Sequence, residues 1–195
     1  WLTCEEDTTS QGAYDHVEKN HGYVFEVPAT TEIQLNKPVP INALGRFNHE
    51  AVAFDSRTGI LYLTEDRYDG LIYRFVPNVK NDLHSGGRLQ ALGIKEKPQF
   101  ETRNWPDTDS EQMQINVPYQ LEWIDMDNVE APEDDLRDRG WEKGAARFAR
   151  GEGMWYENGI IYFACTAGGT LRKGQIFKLV PDENNTYGGT LELFI

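Results

Sequence analysis

Short apolar runs alternate with clusters of turn residues along this chain, and the runs return in the same order. His49 to Asp55 reads HEAVAFD, Ile60 to Asp66 reads ILYLTED and Leu71 to Asn78 reads LIYRFVPN, with turns at Ser56 to Gly59 and at Asp69-Gly70 between them. The series comes back as EGMWYEN at 152–158, GIIYFACT at 159–166 and GQIFKLVPD at 174–182. Runs of this length, rich in β-branched and aromatic residues and bounded by Gly, Pro, Asn and Asp, are strand signals. A shorter version stands at the front, where WLTCEED and HGYVFEVPA predict two strands joined by a long polar loop.

Pro28, Pro77 and Pro181 close the last run of each series, a place where proline's missing ladder donor costs little. Their spacing gives a period near fifty residues, with one unit inserted or too divergent to see. Three or four short strands per unit at that period are the signature of β-propeller blades. The expected fold is therefore all-β: a partial β-propeller, about three to four blades of a larger closed propeller. A sandwich of irregular hairpins competes with it but does not predict the repeat. One further short strand is expected after each full series, at Arg88 to Leu92 and at Thr190 to Ile195. Trp1 and Ile195 both fall inside expected strands, so residues 1–195 read as a single fragment of a propeller domain.

Residues 96–149 interrupt the pattern. Pro98, Pro106, Pro118 and Pro132, with the acidic run Glu130 to Asp138, predict an irregular acidic insertion lying over one face. Within it YQLEWIDM at 119–126 offers a strand of the divergent blade. Asp134 to Arg139 offers a short helix, but mixed charge without an apolar stripe argues for a solvated loop there.

Charge narrows the function. A formal net charge of −13 excludes a general nucleic-acid binder, which needs a basic face to displace counterions. No stretch approaches the ~20 apolar residues of a membrane span. The acidity suits a binder of hard cations, and it equally suits the surface of an exported or salt-adapted protein. Cys4 and Cys165 cannot be assigned as a disulfide from sequence.

The candidate chemistry centres on Arg150-Gly151-Glu152-Gly153. Overlaying the two full series sets Glu50 against Glu152, each at the start of the innermost strand of its unit, where a propeller turns side chains toward its axis. Converging carboxylates repel, and burying them unpaired costs several kcal/mol each, so a bound cation is the usual remedy. The same overlay sets Cys4, Glu65 and Cys165 at one position, with Glu5 and Asp66 beside it. The candidate metal ligands are Cys4, Glu5 or Glu6, Glu50, Glu65 or Asp66, and Glu152. Oxygen donors favour calcium, magnesium, manganese or ferric iron, and a thiolate among them points to a transition metal at that corner. Arg150 carries a fork suited to phosphate or carboxylate, against the plainer role of a salt bridge to Glu152. Asn48 offers an amide for metal or phosphate. His21 and His49 are weighed as ligands or acids against ordinary strand-capping roles, and Cys165 reads as a small buried residue. No Walker loop, CxxC pair or GxSxG elbow is present.

WLTCEE, FNHEAVAFD with YLTEDR, and GAARFARGEGMWYENGIIYFACTAGG followed by GQIFKLVPD resemble the PhoX-type alkaline phosphatases over nearly the whole chain. The resemblance implies a β-propeller with a calcium and iron cluster at its axis, hydrolysis of small phosphate monoesters, export to the periplasm or beyond, and a monomeric full-length protein. It implies Cys4 as an iron ligand, Glu50 and Glu152 as cluster ligands and Arg150 as a phosphate clamp, with the choice within Glu5/Glu6 and Glu65/Asp66 left open. Two rival readings keep the fold and change the function: a calcium-stabilised, non-catalytic binding or scaffold module, and a lactonase-like calcium hydrolase.

Overall fold

The computed structural model describes residues 1–182 and 188–195. A two-stranded hairpin, β1 (Leu2–Cys4) and β2 (Val24–Glu26), precedes a first antiparallel meander of β3 (His49–Phe54), β4 (Leu61–Glu65), β5 (Ile72–Val79) and β6 (Asp82–Ile94). A second meander follows the 96–149 segment: β8 (Gly151–Glu157), β9 (Ile160–Cys165), β10 (Gln175–Pro181) and β11 (Gly189–Leu193). Between them in sequence lies β7 (Tyr119–Asp125), which pairs with β6 on one side and β11 on the other, so the nine strands form one sheet in the order β3-β4-β5-β6-β7-β11-β10-β9-β8. The sheet nearly closes on itself, because its edge strands β3 and β8 adjoin: the Thr64 hydroxyl accepts from Ala51 N at 3.0 Å and donates to the Glu152 carbonyl at 2.8 Å. This is the all-β arrangement of blade-like units that the repeat predicts.

The two meanders are copies in register as well as in order. His49 pairs with Glu65 and Gly151 with Cys165, and each ladder then slips at the same place before resuming at Val52–Leu63 and Met154–Phe163. A bulge repeated at one position twists the strand and re-aims the residue beside it, here Glu50 and Glu152. At the far end Pro77 pairs with Gly87 and Pro181 with Gly189. A Cβ on Gly87 would meet Val76 O at 2.4 Å, and one on Gly189 would meet Val180 O at 2.6 Å, which is why glycine faces both closing prolines.

Two apolar layers hold the molecule. One lies between the meanders and joins Tyr62, Ile72 and Leu92 to Phe148, Phe163, Phe177 and Leu179. The other covers the opposite side of the first meander, where Leu61, Leu63, Tyr73 and Phe75 pack on Val24, Phe47, Leu89 and Leu136. The first meander is thus buried on both faces and the second on one.

Two expectations need correction. The acidic run is not simply a solvated loop: helix α1 (Leu136–Glu142) starts within it. Leu136 is buried, and Gly140 packs so closely that a Cβ there would stand 2.5 Å from Leu71 Cδ1; a single leucine and a glycine contact replace the apolar stripe whose absence argued against a helix. The N-terminal hairpin also departs from the overlay. Cys4 pairs with Val24, and when the closing prolines are matched Val24 takes the place of Tyr73, whose partner is Leu63. Cys4 therefore stands at the place of Leu63, two residues short of Glu65.

Candidate active site

The strand ends nearest the closing edge of the sheet bring Glu6, Glu50, Asp66, Arg150 and Glu152 together. Asp66 follows β4 directly and is fixed by its backbone, donating from N to the Asn48 carbonyl at 3.0 Å while the Asn48 amide donates to the Asp66 carbonyl at 2.9 Å. Arg150 holds both carboxylate oxygens of Asp66, Nε to Oδ1 at 2.8 Å and Nη2 to Oδ2 at 2.6 Å, and its Nη2 also reaches Glu152 Oε1 at 3.0 Å. The Thr166 hydroxyl donates to the same Glu152 oxygen at 3.3 Å.

Arg150 sits in the left-handed region, φ +57°, a conformation costly for a side chain of this size and met where the surroundings enforce it. The enforcement is visible: Arg150 N donates to Arg67 O at 2.8 Å and Thr166 N donates to Arg150 O at 2.9 Å. Gly151 then enters β8 so near β4 that a Cβ would lie 3.1 Å from both the Glu65 carbonyl and Thr64 Cβ. The Arg-Gly-Glu order turns the guanidinium out, passes the tight contact and presents the carboxylate.

The guanidinium bonds two of the four carboxyl groups, and the proton affinities of the other two, Glu6 and Glu50, record the crowding. Glu6 is pushed up to about 7, first by its hydrogen bond to the Asp66 carboxylate, then by burial and by Glu50, Asp66 and Glu152. Burial and then the charges of Glu152 and Asp66 raise Glu50. Burial, with Glu50 behind it, pushes the neighbouring Cys4 thiol up to about 11. Four acids gathered round one guanidinium leave the cluster with more negative charge than its own cation balances.

The remaining expected residues turn their side chains to other partners. Glu5 turns back on its own loop: Oε1 meets His21 Nδ1 at 3.0 Å, and Oε2 accepts from Gly22 N at 3.0 Å and Tyr23 N at 3.2 Å. Glu65 points into the second apolar layer, where Oε2 accepts from Leu71 N and the Tyr73 hydroxyl, both at 3.0 Å. Asn48 uses its amide nitrogen on the Asp66 carbonyl. His49 is buried against Phe47, meets the Gly45 carbonyl at 3.0 Å, and is lowered by burial to about 4, so it is a neutral core histidine. Cys165 is buried and its thiol raised by that burial; it and Cys4 are both free thiols.

Thr166 is not legible in the sequence, because a threonine after an apolar run carries no signal by itself and its contact with Glu152 forms only in the fold. Arg46 was missed too. It is fully buried and donates to the carbonyls of His21 (2.8 Å), Ala131 (3.0 Å), Pro132 (3.2 Å) and Thr8, and so pins the loop carrying Glu6 to the 96–149 segment.

The donor set fits metal in kind. Glu6, Glu50, Asp66 and Glu152 offer the hard oxygens that calcium prefers, their crowding marks where positive charge is wanted, and Cys4 beside Glu50 adds a softer donor. Among the described residues, no three His, Cys, Asp or Glu side chains stand at metal-ligand spacing.

No curated protein matches the chain. A structure of Pseudomonas fluorescens PhoX in complex with vanadate, a transition state analogue, superposes with a TM-score of 0.65 at 19% identity, over 98% of this chain and 45% of that one. At that identity the likeness concerns the fold, and this chain spans less than half the length of that protein. The family model for alkaline phosphatase PhoX matches residues 1–195, the whole of the sequence that folds into the two meanders and their acidic cluster: the chain belongs to the PhoX alkaline phosphatase family.

Proposed function

We propose that this chain carries part of the active site of a metal-dependent phosphatase acting on small phosphate monoesters. One observation supports this above the others: a single guanidinium fork lies among four converging acids on the closing edge of the sheet, held in a strained backbone conformation. Glu6, Glu50, Asp66 and Glu152 would hold calcium through their oxygens, and Cys4 would hold iron. Bound cations of this kind would polarise phosphoryl oxygens and supply a nucleophile at neutral pH. Arg150 binds the equatorial oxygens of the phosphoryl group, and Asp66 and Glu152 orient its fork. Thr166 holds the Glu152 carboxylate in place. Phosphoryl transfer asks mainly for positioning and charge stabilisation, and this arrangement offers both.

Export fits the family reading, and no helix among the described residues is long and apolar enough to cross a membrane. The bidentate grip of Arg150 on Asp66 favours a second reading, a calcium-stabilised scaffold in which that pair is purely structural.

The test is hydrolysis of an aryl phosphate by the full-length protein supplied with calcium. Activity that a chelator abolishes is expected; activity indifferent to chelation overturns the metal assignment. Arg150→Ala should weaken phosphate binding by roughly 10- to 100-fold, the scale of a lost charge-assisted fork, while the variant still folds. A variant that only unfolds speaks for the scaffold.

A further inference from the structure

Beside the acidic cluster lies an aromatic ledge that none of the chemistry above uses. Tyr68 follows Arg67, whose carbonyl fixes Arg150, and the residue stands 62% exposed. Beneath it Trp105 meets the Tyr68 ring at 6.3 Å between centroids with the planes tilted by 55°. Trp105 in turn is anchored from Nε1 to the Ala167 carbonyl at 2.7 Å, one residue from the Thr166 that holds Glu152. The ledge is therefore tied to the cluster from both sides, through Arg67 and through Ala167.

The ledge is rigid and electrically balanced. Arg103 lies 4.2 Å and Arg172 4.5 Å from the centre of the Trp105 ring. Each is matched by an acid: Arg103 Nε donates to Glu101 Oε2 at 2.6 Å, and Arg172 Nη2 donates to both Asp107 oxygens at 2.5 and 2.6 Å. Arg103 also donates from Nη1 to the Tyr68 carbonyl at 3.1 Å. With both cations neutralised, the ledge has little to offer a second anionic group. What it presents is an exposed tyrosine whose backbone is already fixed, and such a side chain stacks flat ligands at small entropic cost.

We propose that Tyr68 is a specificity-determining residue of this site, stacking a planar aromatic leaving group while the phosphoryl group lies on Arg150. The inference rests on the phosphatase reading above and names the class of ester that the site favours: aryl over compact aliphatic phosphates.

The experiment uses the full-length, calcium-loaded protein and compares phenyl phosphate with glycerol phosphate. Tyr68→Ala should lower kcat/KM for phenyl phosphate by about 3- to 10-fold, the range of one aromatic contact, and leave glycerol phosphate unchanged. Tyr68→Phe, which keeps the face and loses only the hydroxyl, should retain the wild-type preference. Calorimetry gives a readout apart from turnover: Tyr68→Ala should bind phenylphosphonate about 3- to 10-fold more weakly and inorganic phosphate as before. Equal losses on both esters, or no loss on either, overturn the stacking role while leaving the phosphatase reading intact. A wild-type protein that hydrolyses neither ester overturns the phosphatase reading itself.

Discussion

The two meanders repeat one backbone and differ in what covers them. Tyr62 and Tyr162 are register equivalents, opposite Arg74 and Lys178, as are Ile72 and Ile176, opposite Thr64 and Ala164. In the first meander Tyr62 is 1% exposed and Ile72 fully buried; in the second Ile176 is 38% exposed and Trp155, on the same face, 67%. Strand and register are thus set within each unit, whereas burial is conferred by the neighbour that packs on it. The covered faces differ in a second way. Glu65 with the Tyr73 hydroxyl in the first unit becomes Cys165 with Phe177 in the second, so a buried polar pair is exchanged for an apolar one at matched positions.

The largest expected effect tests the first contrast. Tyr62→Ala should destabilise the 195-residue chain by about 3–5 kcal/mol, as removal of a buried ring does. Tyr162→Ala should cost less, about 1–2 kcal/mol, because Tyr162 is only half-buried and its ring meets Phe194 edge-on, centroids 5.7 Å apart. Denaturant unfolding of both variants measures the difference. Equal losses would show that the outer face of the second meander is covered in solution.

Much of this was legible in the chain. Closing prolines and the Gly-flanked runs give the repeat, and the repeat places Glu50 with Glu152 because a shared bulge aims both. The hairpin at the front was misaligned by two residues, since a long loop rather than a tight turn joins β1 to β2 and nothing local pins its register. Within each acid pair the choice was not legible either. Side chains alternate along a strand, but Glu65 is the last residue of β4 and Asp66 lies just past it, where alternation stops applying. Glu65 goes to the apolar layer because Leu71 N and the Tyr73 hydroxyl await it there, partners that only the folded turn and β5 behind it supply. Arg46 holds Thr8 to Ala131 and Arg137 stands 4.0 Å from Glu65 Oε1, both acting on residues remote in sequence, and no spacing betrays that.

The second contrast predicts a pH dependence. Glu65 is fully buried and raised to about 7, chiefly by burial, although hydrogen bonds from Leu71 and Tyr73 and the charge of Arg137 pull the other way. A carboxyl raised in the folded state keeps its proton where the unfolded chain has released it. Its penalty is absent below the ordinary glutamate value of 4.5, grows as pH rises to about 7, and is full above that. Glu65→Gln keeps an acceptor for Leu71 and Tyr73 but cannot ionise. The stability of the variant relative to the wild type should therefore rise between pH 4.5 and 7, on the order of a few kcal/mol. Urea titrations at pH 4.5, 6 and 7.5 would measure it, and a constant difference would mean that Arg137 keeps Glu65 ionised throughout. Cys165→Ser, at the matched position of the second unit, should show no such slope over that range.

The smallest effect separates the two glycines flanking Glu152. His49 and Gly151 occupy the same register position, opposite Glu65 and Cys165, yet one carries a large side chain and the other none. The reason is the seam: β8 runs past the end of β4, and a Cβ at 151 would press on the Glu65 carbonyl and Thr64 Cβ at 3.1 Å, whereas one at 153 would meet nothing within 4 Å. Because a backbone carbonyl cannot swing aside as a side chain does, Gly151→Ala should cost about 1–2 kcal/mol, while Gly153→Ala should change stability by less than about 0.5 kcal/mol. The functional consequence is sharper than the energetic one. Any widening of the seam at 151 moves Glu152 away from Asp66, the two acids that Arg150 bridges, so Gly151→Ala should weaken phosphate binding while Gly153→Ala leaves it unchanged. If both variants bind phosphate as tightly as wild type, the close approach of β8 to β4 serves the fold alone.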